Sequence, residues 1–189
     1  MLDLCAAPGG KTLGLAAAGW NVTALDMSKR RLELLKDNLK RTGLKASPVR
    51  ADALSWEPKH DFDAILLDAP CTASGTCRRH PDVLHRIGGR QIEEMTSIQT
   101  ALIEKAAGWL KPGGVLIYAV CSLEAEEGEE QAERIPEMTG LEPSPVTADE
   151  LPAGLKPTPQ GWVRTHPGML KEQGGLDGFF IGRWQKPAG

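Results

Sequence analysis

Three aspartates stand at the junctions where segments that read as strands end: Asp26 after Asn21–Leu25, Asp52 after Ala46–Arg50, and Asp68 after Phe62–Leu67. A fourth such junction carries Cys5-Ala6-Ala7-Pro8-Gly9-Gly10-Lys11-Thr12, and a fifth places Cys121 directly after Val115–Val120. Carboxylates at such junctions can accept hydrogen bonds from a diol or face a cation. An ionised thiol is a nucleophile. Gly10-Lys11-Thr12 invites comparison with a phosphate loop, but that motif needs a glycine five residues before the Gly-Lys pair, and Cys5 stands there. The dinucleotide pattern G-x-G-x-x-G is also missing. Asp26 lies about 20 residues past the glycine turn, the distance at which an acid binds a ribose diol. With Asp52 and Asp68 beside it, the set suits a positively charged ligand rather than a polyphosphate. S-adenosyl-L-methionine, with its ribose, adenine and sulfonium, has that chemistry.

Alternating strand and helix patterns must position these residues. Met1–Leu4 ends a strand that runs into the glycine turn, and Lys11–Ala18 reads as a short helix. Ser28 is a candidate N-cap for a helix reaching about Arg41, with Leu32, Leu35 and Leu39 as its apolar stripe and Gly43 as its stop. Phe62–Leu67 and Val115–Val120 are nearly continuous apolar runs, as parallel strands buried on both faces should be. Gln91–Leu110 has helical periodicity and is expected to stop at Pro112-Gly113-Gly114. A Glu-rich helix is expected immediately after Cys121, mostly solvated, its N-terminus favouring thiolate. Five prolines between Pro143 and Pro159 predict a loop, and Gly178–Trp184 reads as a last strand. Strands alternating with helices predict an α/β architecture with a mostly parallel, doubly wound sheet. Ligands then bind beyond the carboxyl ends of its strands.

Composition narrows the classes. With 189 residues and 41% hydrophobic content the chain can build one domain with a substantial core. No apolar run approaches the roughly 20 residues of a membrane span, and Asp3 with Pro8-Gly9-Gly10 breaks any secretory signal. Cys5, Cys71, Cys77 and Cys121 are too few and too scattered for a disulfide scaffold, so reduced thiols and a cytoplasmic location are expected. No zinc or other metal site is expected, since Cys71, Cys77, His80 and His85 lack metal-ligand spacing. The net charge of -3 argues against a wholly basic nucleic-acid surface. Charge is nevertheless uneven, and Arg78, Arg79, His80, His85, Arg86 and Arg90 cluster in one segment.

The motifs resemble the Sun/Fmu family of RNA cytosine-5 methyltransferases, the RsmB-type group that includes the nucleolar Nop proteins. The matching segments are Leu2–Thr12, Asp68-Ala69-Pro70-Cys71-Thr72-Ala73-Ser74-Gly75, Arg78-Arg79-His80-Pro81-Asp82, Tyr118-Ala119-Val120-Cys121-Ser122 and Asp177-Gly178-Phe179-Phe180-Ile181. The resemblance spans nearly the whole chain. It implies a Rossmann-like class I methyltransferase fold with an antiparallel C-terminal strand, residues 1–189 forming a single catalytic domain. It assigns Cys5, Ala6, Ala7, Pro8, Gly9, Gly10 and Lys11 to the S-adenosyl-L-methionine loop, Asp26 to its ribose, Asp52 to its adenine, and Asp68 to the neighbourhood of the methyl group and target base. It makes Cys121 the nucleophile and Cys71 the group that assists product release. Val120 departs from the family's usual threonine, and the family's N-terminal RNA-binding region is not represented in these residues.

The implied chemistry explains the cysteine pair. Carbon 5 of cytosine is a poor nucleophile until a thiolate adds to carbon 6. Release then requires loss of the carbon 5 proton and expulsion of the thiolate. Asp68 can hydrogen-bond the ring while charge shifts, and Arg78, Arg79 and His80 can hold phosphates. RNA is therefore the expected partner, ribosomal RNA first and transfer RNA second, with no membrane partner and no signal of oligomeric state. Two alternatives remain at this level. One is a DNA cytosine-5 methyltransferase, which would use the Pro-Cys loop for attack. The other is a catalytically idle RNA- or cofactor-binding module.

Overall fold

The computed structural model describes residues 1–189. Eight strands form one sheet: β1 (Leu2–Leu4), β2 (Thr23–Asp26), β3 (Ser47–Arg50), β4 (Phe62–Asp68), β5 (Leu110–Val120), β6 (Glu142–Pro143), β7 (Val163–Thr165) and β8 (Phe179–Gln185). Four α-helices accompany them: α1 (Gly10–Ala17), α2 (Lys29–Thr42), α3 (Gly89–Gly108) and α4 (Glu129–Thr139). The strand order is β3-β2-β1-β4-β5-β8-β6, and β7 also pairs with β8. Strands β1 to β5 are mutually parallel. β8 runs antiparallel to β5, from Val115 opposite Gln185 to Val120 opposite Phe180. This is the mostly parallel sheet with an antiparallel C-terminal strand that the family resemblance implies.

Helices cover both faces, and strand alternation shows why. In β2, Ala24 joins a small cluster with Leu32, Leu35 and Leu39 of α2. The next residue, Leu25, joins the large cluster containing Leu102, Ile103 and Ala106 of α3 and Ile135 of α4. Successive strand residues point to opposite faces, so the two clusters lie on opposite sides of the sheet. In β1, Leu2 and Leu4 belong to the large cluster, and Asp3 between them is fully buried and bonded to Thr12 of α1.

Helix α2 begins and ends as the sequence predicts. The Ser28 hydroxyl accepts from the Arg31 amide at 3.3 Å, and Gly43 closes the helix at φ +70°. Two expectations change. β5 begins at Leu110 rather than Val115, because Pro112-Gly113-Gly114 bulges within the strand: Phe62 pairs with Leu110 while Ala64 pairs with Val115. The Glu-rich helix does not start after Cys121. Residues 122–124 are irregular and 125–128 form turns first, and α4 opens only at Glu129. No helix of the structure is long and apolar enough to cross a membrane.

Candidate active site

The strand order reverses between β1 and β4, and the carboxyl ends of β1 to β5 converge there on a cleft of about 610 Å³. Cys5, Asp26, Asp52, Asp68, Cys71 and Cys121 line it, with Leu25, Ile98 and Leu102 among its apolar walls. Six residues from five separate places in the chain thus meet because each follows or ends a neighbouring parallel strand.

The first loop is held from below. Asp26, buried at the end of β2, accepts from the Ala7 amide at 3.1 Å and the Ser28 amide at 2.8 Å. Arg31 lies 3.7 Å from the same carboxylate and donates to the Ala7 carbonyl. Asp26 therefore shapes the loop as well as facing the cleft. Gly9 sits at φ +105°, and a Cβ there would stand 3.0 Å from the Leu35 side chain, so both conformation and space demand glycine. Ala6 and Ala7 are buried beneath the loop, the Pro8 carbonyl accepts from Asn38, and Gly10 opens α1. Asp52 caps its own turn by accepting from the Leu54 amide at 3.0 Å.

Lys11 reaches Asp68 at 2.7 Å and lies 5.5 Å above the centroid of the Phe179 ring. It thus leans from α1 across to the end of β4. Beside this ion pair, the sulfurs of Cys71 and Cys121 are 3.5 Å apart. The two thiols are not equivalent. The hydrogen bond from Cys71 lowers the Cys121 pKa, and Lys11 adds to this, against burial and the Asp68 charge. The same hydrogen bond raises Cys71, with burial acting in the same direction. The two opposite directions are one shared effect: the thiol that ionises first is stabilised by the proton left on the other. No helix terminus contributes, since α4 begins eight residues past Cys121; the neighbouring thiol and Lys11 do that work. Burial pushes the Cys5 thiol up to about 12, so it contributes a wall rather than a nucleophile.

Arg78, Arg79 and His80 lie outside this cleft. Arg79 makes a forked contact with Asp177, and Arg78 approaches the same carboxylate at 3.4 Å. Both arginines, with Asp177 and Phe179, rim a separate groove of about 700 Å³. Phe179 connects the two regions, since its ring also lies under Lys11. His80 is exposed at the tip of the segment.

Two buried acids escape a reading of sequence. Asp3 accepts from the Thr12 hydroxyl at 2.5 Å, its second oxygen has no partner, and burial raises its pKa to about 6. The detectable signal was an acid between two leucines in a buried strand. Glu127 is fully buried, contrary to the expectation of a solvated Glu-rich segment. It sits inside a run of surface-type residues with no periodic pattern to single it out.

Comparison with known proteins gives consistent matches. The family model described as 16S rRNA methyltransferase RsmB/F matches residues 1–185. The chain is 38% identical to a Ribosomal RNA small subunit methyltransferase B of Shewanella oneidensis, covering 98% of this chain and 42% of that protein. It is 40% identical to the protein of the same name from Citrobacter koseri, covering 97% and 41%. It thus spans about two fifths of the length of these curated relatives. Among solved structures, NSun6 from Pyrococcus horikoshii with SFG superposes at a TM-score of 0.84 and 32% identity, covering 98% of this chain and 47% of that one. A methyltransferase homolog protein from the same organism superposes at 0.79 and 31% identity, covering 98% and 61%.

Proposed function

The chain belongs to the RsmB/F family of 16S rRNA methyltransferases, and from that premise we propose that it methylates carbon 5 of cytosine in RNA through a covalent adduct on Cys121. S-adenosyl-L-methionine is the methyl donor, ribosomal RNA the first candidate substrate and transfer RNA the second. The observation that carries this reading is the 3.5 Å pair of Cys71 and Cys121 at the rim of a cleft walled by Asp26, Asp52 and Asp68.

The cleft fits the cofactor by its donor set. Asp26 and Asp52 offer carboxylate oxygens where a ribose and an adenine are expected, and the two nearest cations, Arg31 and Lys11, are already paired with acids. When bound, the cofactor supplies an electrophilic methyl group on a sulfonium. The chain's own residues do the rest. The Cys121 thiolate adds to carbon 6 of the ring, forming a sulfur–carbon bond and making carbon 5 nucleophilic. The Lys11–Asp68 pair sits beside the thiols to hydrogen-bond the polar edge of the base. Once Cys121 is bonded to carbon 6 it carries no charge, so Cys71 can lose its own proton to solvent and act as the base. After methyl transfer it takes the carbon 5 proton, the ring double bond re-forms, and the sulfur–carbon bond breaks to return Cys121 as thiolate. The second thiol, Cys121, standing beside the Pro-Cys loop supports attack by Cys121 over the DNA-type attack from that loop.

Labelled cofactor incubated with ribosomal RNA, transfer RNA and DNA tests the substrate class. Cys121→Ala is expected to abolish both transfer and adduct. Cys71→Ala is expected to accumulate a protein–RNA adduct stable to denaturing electrophoresis. Adducts in Cys121→Ala and none in Cys71→Ala would move the nucleophile to the Pro-Cys loop.

A further inference from the structure

Glu127 is a fully buried carboxylate with no lysine, arginine or histidine paired to it. Desolvating such a charge is expensive unless neighbouring donors compensate it. Its four donors come from three segments. The Thr72 amide reaches it at 2.9 Å and the Thr72 hydroxyl at 2.5 Å. The Ser122 hydroxyl reaches it at 2.5 Å, and the Gln99 amide nitrogen, from α3, at 2.9 Å. Thr72 directly follows Cys71, and Ser122 directly follows Cys121. One carboxylate therefore grips the residue after each cysteine.

The grip is itself held. The Tyr118 hydroxyl donates to the Glu127 carbonyl at 2.6 Å, and Gln99 also donates to the Pro70 carbonyl at 2.9 Å. Gly128 follows Glu127, and a Cβ there would stand 2.3 Å from the Arg164 guanidinium and 3.1 Å from the Phe180 ring. Ser74 closes a second link by contacting Ser122 at 3.2 Å and accepting from the Leu123 amide at 2.8 Å.

We propose that Glu127 is a positioning residue that sets the separation of the two cysteines by clamping Thr72 and Ser122 together. It touches neither cleft nor substrate. It acts through the loops, so that Cys71 can donate to Cys121 before attack and lies close by at release. Its charge also opposes ionisation of Cys71, after the larger effects of the Cys121 hydrogen bond and burial. The inference rests on the two-cysteine reading above, but thiol chemistry tests it without RNA.

Glu127→Gln retains the volume and removes the charge that four donors share. Iodoacetamide alkylation, followed across pH by peptide mass spectrometry, reports the ionisation of Cys121 by itself. The expected result is a rise in the Cys121 midpoint and a fall of about tenfold in its rate near neutral pH, the change one pH unit brings. Cofactor affinity by calorimetry is expected to stay unchanged, because Glu127 lies outside the cleft. Methyl transfer is expected to lose on the order of 10²-fold in kcat, the cost of about 1 Å of misplacement. Ser122→Ala and Thr72→Val each cut one side of the clamp and leave the carboxylate. They are expected to raise the same midpoint, and their combination to raise it no further than the larger single effect. An unchanged Cys121 profile in Glu127→Gln would overturn the proposal. So would unchanged profiles in the two hydroxyl variants, which decide the matter if Glu127→Gln does not fold. Cofactor affinity falling in step with melting temperature would also overturn it, making Glu127 a general structural residue. Absent methyl transfer in the wild type, with the alkylation shifts intact, would sink the proposed function and leave the clamp standing.

Discussion

Replacing Asp3 with asparagine should stabilise the protein at neutral pH and leave it unchanged in acid. Asp3 is fully buried in β1, and one of its oxygens has no partner. Burial is the main cause that lifts its pKa from 3.8 to about 6, against the Thr12 hydrogen bond, with Asp68 and Asp26 adding to the rise and Lys11 opposing it. The folded protein therefore binds this proton more tightly than the unfolded chain. Above pH 6 both states are ionised and the full cost of burying the charge is felt. Below about pH 4 both are protonated and it vanishes. At 1.36 kcal/mol per tenfold, the gap corresponds to about 3 kcal/mol as an upper bound. Asparagine keeps an acceptor for Thr12 and exchanges an orphaned oxygen for an orphaned amide, so the charge is the main quantity removed. Thermal melts of wild type and Asp3→Asn from pH 4 to 8 are the assay. The difference should grow between pH 4 and 6 and then level off. An offset independent of pH, or destabilisation at pH 8, would show that Asp3 is compensated in a way these contacts do not reveal. A cofactor-binding loss in the same variant would identify what the strained acid is kept for, a trade of stability for function.

Three further expectations concern the same framework. Gly75→Ala would place a Cβ 2.0 Å from the Gly178 carbonyl oxygen, a backbone clash that no rotamer relieves, so destabilisation of at least about 1–3 kcal/mol is expected in denaturant titrations; a wild-type midpoint would refute it. Asp26→Ala strips the acceptor from two backbone amides and should weaken cofactor binding in calorimetry as well as lower stability; unchanged affinity would place the ribose elsewhere. RNA binding by this chain should be weak, with a shallow salt dependence. Within the basic segment Arg78 and Arg79 share Asp177, Arg86 pairs with Asp82 and Arg90 with Glu94, so its arginines are already engaged by acids. At about -0.7 per phosphate on a single strand, a log-log slope steeper than roughly -3 would mean an unrecognised binding face.

What the sequence disclosed was local. Apolar runs located β1, β2, β4 and most of β5, and a leucine stripe with a serine cap and glycine stop located α2. The strand-end acids followed from those runs, because a parallel sheet brings its carboxyl ends together. What stayed hidden depended on partners far away in the chain. β6 and β7 are two and three residues long, one contains Pro143, and both exist through pairing with β8. The pairing of Arg79 with Asp177 spans 98 positions. The resemblance placed Lys11 in the cofactor loop, but its partner Asp68, 57 positions away, was not legible in the sequence. The expected helix at Cys121 failed because glutamates favour helix starts while Glu127 is drawn inward by Thr72 and Ser122. The thiolate is favoured by neighbours the chain brings from elsewhere, not by a terminus nearby in sequence.

The position of β8 has a consequence for the order in which the molecule assembles. It is the last strand in the chain, yet it lies between β5 and β6 and is the partner of β7. The Gly178 amide just before it donates to the Gly75 carbonyl at 2.7 Å, and the Gly75 amide donates to the Cys121 carbonyl at 3.1 Å. During synthesis from the N-terminus, β1 to β5 can pair as they emerge. The Cys71 loop must wait for a segment about a hundred residues later before its last tie is made. Such long-range closure is entropically late. A nascent chain stalled before residue 178 should therefore own the cofactor cleft and the Glu127 clamp but lack the Gly178–Gly75 tie, so the far side of the Cys71 loop is expected to be the last part of the site to set.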